Sequence, residues 1–288
     1  MLGITERGAL RPPLQIRTHP RDGRSHLIME EPCVPNCARP RILVAALVMF
    51  TATLPLLTAA DGPVLDRPPV TPIYIVAGFV GGFVGHDNLH HGPVLLAQRI
   101  QRSAPKDTYV QVFENRHRKA AYQTILHLLD RNHDGILSDE EKAQARIILF
   151  GHSWGASAVV LLARELNRAG IPVLLTVQVD SVAKIWQHDG IIPENVAAAV
   201  NFYQSHGIVH GRAEITAANP SKTQILGNYR FDYRKEPVKC EAPSWFDQVV
   251  TPDHAQSECD PRLWAQVEDL VRQRLEAQTG ALAAIPRP

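Results

Sequence analysis

Five residues, Gly151-His152-Ser153-Trp154-Gly155, stand directly between a short apolar run, Arg146 to Phe150, and an alanine-rich segment, Ala156 to Asn167. The run is continuously apolar, as a central parallel strand buried on both faces is. The segment after it reads as a helix, with Gly170 just past its end. A serine between such a strand and helix occupies a sharp, strained turn. The flanking glycines are required because backbone there comes close to neighbouring elements, leaving no room for a Cβ.

Apolar runs and helical patterns alternate from Pro72 onward, which predicts βα units and a mostly parallel sheet with helices on both faces, an α/β class. Ile73 to Ala77 reads as the first strand and ends in the glycine-rich stretch Gly78 to Gly85. A helix over about His91 to Arg102, a strand at Tyr109 to Phe113 and an amphipathic helix at Lys119 to Leu129 follow. Val173 to Val179 is a further buried strand, and Pro261 to Gln278 a closing amphipathic helix. The patterns of Asn195 to Gln204 and Ile225 to Tyr233 do not decide between element types. With 288 residues, 45% of them hydrophobic, one large core is the expectation.

A serine hydroxyl is a weak nucleophile unless a base takes its proton and donors stabilise the oxyanion that forms. The Gly-x-Ser-x-Gly turn in its strand-to-helix setting resembles the nucleophile elbow of the α/β-hydrolase superfamily, lipase- and esterase-like serine hydrolases included, from about Ile73 to the C-terminus. The resemblance implies a hydrolase that cleaves an ester-like bond in a small-molecule or lipid-like substrate through an acyl-enzyme on Ser153. It also implies the chain order serine, acid, histidine. Asp180, at the end of the strand after the nucleophile helix, is placed like the acid of pancreatic-lipase-like enzymes; Asp232, after a later strand, is the alternative. His254, in a late loop before the C-terminal helix, is the expected base, with His206 and His210 as alternatives. The oxyanion hole is expected from the backbone N–H of Trp154 and one from Phe79 or Val80. Phe79, Phe83 and Val84 either line an apolar mouth or are ordinary packing, and His152 is read as structural. A fold of this kind without the chemistry, serving as a calcium-dependent binding module, is the competing expectation.

Asp130-Arg131-Asn132-His133-Asp134-Gly135-Ile136-Leu137-Ser138-Asp139-Glu140-Glu141 carries the EF-hand loop pattern. Oxygen side chains stand at Asp130, Asn132, Asp134, Ser138 and Glu141, Ile136 offers its main-chain carbonyl, and glycine sits at the sharp turn. A structural calcium ion is therefore expected just ahead of the nucleophile strand. Lys142 departs from the pattern, since an apolar residue usually starts the exiting helix. His86-Asp87-Asn88-Leu89-His90-His91 has a zinc-like spacing but reads more simply as a helix cap with surface histidines.

The N-terminal region divides into a Pro-, Arg- and His-rich extension, 1–41, with Met29 as a candidate start, and an apolar run with a small-residue cleavage site, 42–60. Together they match a signal peptide, with an uncleaved membrane anchor as the alternative, and predict export of a hydrolase domain over 61–288. Cleavage removes Cys33 and Cys37, leaving Cys240 and Cys259 to pair in an oxidising compartment. A net charge of +1 supplies no electrostatic footprint for a nucleic acid.

Overall fold

The computed structural model describes residues 73–240 and 252–283, with side chains as far as residue 277. All of them fall in one compact unit, Val64–Pro288. The extension, the apolar segment of residues 42–60, Cys33 and Cys37 lie outside the described residues. Among those described, no helix is long and apolar enough to cross a membrane.

Six strands form the main sheet: β1 (Ile73–Val80), β2 (Tyr109–Glu114), β3 (Ala145–His152), β4 (Val173–Val179), β6 (Val196–Tyr203) and β8 (Gln224–Arg230). Their spatial order is β2-β1-β3-β4-β6-β8. Every neighbouring pair is parallel. Two short strands, β5 (Ile191–Ile192) and β7 (Thr216–Ala217), pair separately. The chain steps outward from β1 to β2, then crosses back to β3. The reversal leaves a crevice at the carboxyl ends of β1 and β3, where ligands bind in open α/β sheets.

Successive side chains of a strand point to opposite faces, and both faces are covered. Ile75, Ala77, Ile147 and Leu149 pack against α2 (Arg118–Leu129) and α4 (Trp154–Arg168). Val76, Ile148 and Phe150 pack on the other side with α1 (Gly92–Ser103) and α6 (Pro261–Ala283), through Leu96, Ile100, Trp264 and Val267. This double burial explains why β3 is apolar at every position from Ile147 to Phe150. The architecture is α/β-hydrolase-like.

Two elements differ from the sequence expectation. β1 continues through Gly78 to Val80, because Gly78 pairs with both Val112 and Phe150; a Cβ there would lie 2.6 Å from the Phe150 ring. Phe79 is consequently a fully buried core residue, its ring tilted against that of Phe113, not a lining of the mouth. The segment carrying His254 is also helical, as α5 (Pro252–Cys259). Pro252 at its start and Asp253 in its first turn are residues that begin helices.

A disulfide joins Cys240 to Cys259, the last residue of α5, with Cα atoms 5.7 Å apart. It closes a loop of 19 residues' separation. Replacing both cysteines by serine lowers the unfolding free energy by about 3 kcal/mol. Urea denaturation of the variant checks this, and an unchanged midpoint refutes it.

Candidate active site

Ser153 sits between the end of β3 and the start of α4 with φ 56° and ψ −124°, a conformation L-residues rarely adopt. The turn is held on both sides. Ser153 N–H donates to the Val179 carbonyl at 3.0 Å, and the Ser153 carbonyl accepts from Ala156 and Ser157 of α4. A Cβ on Gly151 would lie 2.6 Å from the Gly155 carbonyl, and one on Gly155 2.8 Å from the Val80 carbonyl. Gly151 is thus demanded by the tightness of the turn itself, and Gly155 by its close packing against β1.

His254 reaches the serine from α5. Its Nε2 lies 2.9 Å from Ser153 Oγ, and its Nδ1 2.6 Å from Asp180 Oδ2. Asp180, just past β4, is fully buried and accepts from Gly211 N–H and from the Gln204 backbone and side chain. Burial alone would raise its carboxyl pKa; the His254 hydrogen bond and charge, the Gln204 amide and the charge of His152 hold it below the ordinary value. Ser153, His254 and Asp180 are therefore brought together in one hydrogen-bonded chain.

The alternative residues lie elsewhere. Asp232 faces His206 at 3.6 Å and Arg230 at 3.9 Å. His206 Nε2 contacts Arg230, and His210 Nδ1 lies 3.4 Å from the Gly211 carbonyl.

At the mouth, Phe83 meets the Trp154 ring edge-on at 5.6 Å, and Lys184 Nζ lies 4.8 Å from the centre of that ring. Lys184 also donates to Asn115 Oδ1 at 2.7 Å, while Asn115 Nδ2 donates to the Gly82 carbonyl at 2.6 Å. Asn115 thereby braces the turn after β1. Phe83, Ile185 and Trp186 are exposed, whereas Val84 is partly buried against the core. Neither Asn115 nor Lys184 belongs to a motif, so the sequence carried no signal for them.

The loop of residues 130–141 turns through Gly135 at φ 80°. Asp130 accepts from the N–H groups of Asp134 and Gly135, Asn132 accepts from Asp134, and Asp134 accepts from Ile136. Ser138 and Glu141 form a capping box at the start of α3 (Asp139–Ala143). The Glu141 carboxylate also accepts from Arg131 N–H. The backbone N–H of Ser138, that of Arg131 and the Ser138 hydroxyl hold the Glu141 carboxyl pKa below its ordinary value. The oxygens are the hard donors a calcium ion takes; Glu141 Oε2 already accepts from the Ser138 N–H and hydroxyl, while Oε1 accepts from Arg131 N–H and keeps a lone pair beyond it. Among the described residues, the His, Asp and Glu side chains that converge within 4.8 Å are His152, Asp180 and His254, not this loop's carboxylates. His91 of the zinc-like stretch pairs with Glu258 at 3.0 Å, and His86 lies 3.7 Å from Glu114.

No protein-family profile and no curated protein matches the sequence. Among solved structures it is similar to a thermostable esterase from Pseudomonas putida, at 11% identity over 70% of this chain and 74% of that one, with a TM-score of 0.36. It is also similar to RedJ (14% identity, 76% and 97% covered, TM-score 0.34) and to a cutinase-like protein from Cryptococcus sp. (11%, 71% and 96%, 0.34). Likenesses this weak carry no argument. The class is defined by the fold and by the chain of contacts at its switch point: an α/β-hydrolase-like fold with the Ser-His-Asp arrangement of a serine hydrolase.

Proposed function

We propose that this protein is an exported esterase that cleaves an apolar carboxylic ester through an acyl-enzyme on Ser153. The observation that supports it most is the continuous hydrogen-bonded chain from Ser153 Oγ through His254 to Asp180. In this reading His254 Nε2 takes the Ser153 proton as Oγ bonds to the ester carbonyl carbon, then returns a proton to the departing alcohol. Water repeats the sequence to free the acid. Asp180 keeps the Nδ1–H tautomer facing itself and stabilises the imidazolium.

Trp154 N–H supplies one oxyanion donor, since the first N–H groups of a helix have no intrahelical acceptor. Phe79 is flanked in the sheet by Phe113 and Gly151, where its N–H serves the ladder. The second donor is therefore assigned to Val80 or the residue after it; a Cβ on Gly81 would lie 2.8 Å from that of Ser153. Exposed Phe83, Ile185 and Trp186 support an apolar substrate.

The test is labelling by a fluorophosphonate probe. Labelling that vanishes in Ser153→Ala is expected; a wild-type protein that stays unlabelled overturns the reading and favours a binding module.

Calcium belongs to the same proposal. Asp130, Asn132, Asp134, Ser138 and Glu141, with the Ile136 carbonyl, would hold the ion, which supplies charge neutralisation and stiffens the approach to β3. At a dissociation constant of about 10⁻⁴ M, 10 mM calcium stabilises by about 2.7 kcal/mol, raising Tm by about 5 °C or more. A Tm indifferent to both calcium and EDTA removes calcium from the proposal.

A further inference from the structure

His152, beside the nucleophile in sequence, is almost wholly buried, with 2% of its surface exposed. Its ring stacks on that of His254 at 4.7 Å between centroids. Its Nδ1 is in contact with Glu258, and its Nε2 lies 2.9 Å from Ser257 Oγ. Both partners belong to α5, the helix that carries His254. The groups facing His152 are Glu258, Ser257 and His254 from α5, Asp180 from the end of β4 and, across Glu258, His91 from the segment before α1.

The donor count around Ser257 decides the state of the His152 ring. Ser257 Oγ lies 2.7 Å from the His254 carbonyl and 3.4 Å from Asp180 Oδ2, both of which only accept. Its single proton goes to one of them, so toward His152 it accepts, and Nε2 must carry a hydrogen. Nδ1 faces the Glu258 carboxylate, which calls for a hydrogen there too. An imidazole that donates from both nitrogens is positively charged.

We propose that His152 is an imidazolium that serves as a positioning residue for His254. Through Ser257 it fixes the backbone carbonyl of His254. By stacking it fixes the plane of the His254 ring. Its charge favours ionised Asp180, the carboxylate that orients the His254 ring. Burial alone would lower the His152 pKa, yet Glu258 and Asp180 carry it above the ordinary histidine value. Burial would likewise raise the Glu258 carboxyl pKa, but His152 and His91 hold it far below its ordinary range.

The catalytic consequence rests on the esterase reading; the charge of His152 does not. The first measurement is the assigned ring ¹⁵N spectrum of the wild-type protein at pH 7.5. Two protonated nitrogens on His152 are expected, and a neutral ring overturns the proposal even if no ester is ever turned over. The second is the same spectrum in Glu258→Gln and Glu258→Asp, beside kcat and KM for an activated ester. Glu258→Gln leaves one hydrogen on the His152 ring and lowers kcat about tenfold with KM unchanged, and Glu258→Asp restores the second hydrogen and most of kcat. A kcat that falls equally in both variants, or that falls while the His152 ring stays doubly protonated, reduces His152 to a packing residue. Should Glu258→Gln fail to fold, the wild-type spectrum still decides the charge. Failure of Ser153 to label sinks the esterase reading separately.

Discussion

Ser153→Ala lowers kcat for an activated ester about 10⁶-fold, the loss expected when the attacking atom of a triad is removed. The size follows from the geometry: His254 Nε2 has its proton donor in Ser153 Oγ at 2.9 Å, and deleting that oxygen leaves only donors that polarise the carbonyl. Stability changes little. The strained φ of 56° costs an alanine much what it costs a serine, and the turn is held by backbone bonds to Val179, Ala156 and Ser157 that the substitution leaves alone. Steady-state kinetics with thermal unfolding of the same sample is the check. Activity within tenfold of wild type in a folded variant rules Ser153 out as nucleophile.

Asp180→Asn lowers kcat about 10⁴-fold by a different route. Asp180 Oδ1 accepts from Gly211 and Gln204 N–H groups, so an asparagine keeps its carbonyl oxygen there and turns its amide toward His254. His254 Nδ1 must then accept, its proton moves to Nε2, and the nitrogen facing Ser153 can no longer take one. The substitution also changes the dependence of stability on pH. Because the Asp180 carboxyl is held below its ordinary value, the stability it contributes is complete above pH about 4 and is lost as pH falls through the folded value. Urea midpoints measured from pH 7 down to pH 3 therefore fall less steeply in Asp180→Asn than in wild type. A variant with normal kcat excludes Asp180 as the acid.

The two substitutions act on a site whose parts differed in how readable they were. Val173 to Val179 was bounded to the residue, because a strand buried on both faces is apolar throughout and ends where a polar residue, here Asp180, enters. β6 stayed ambiguous for the opposite reason: Val196 to Val200 is mostly alanine and valine, which a buried helix also uses. The helical setting of His254 was missed because α5 is only eight residues long, with no apolar periodicity to mark it. Read as a helix, it would have shown Glu258 one turn beyond His254 and on the same face.

What the sequence alone determined is therefore local: the elbow at Ser153, the alternation that calls for a parallel sheet, and the oxygen-rich loop of residues 130–141. Each rests on contacts between residues close in the chain, or on a burial pattern that repeats along it. The tertiary structure decided which histidine meets Ser153 across 101 positions, that Gly81 rather than Phe79 lies against the nucleophile, and that His152 faces Glu258. Those pairings depend on strand order and on how the helices dock upon the sheet, and spacing along the chain does not encode either.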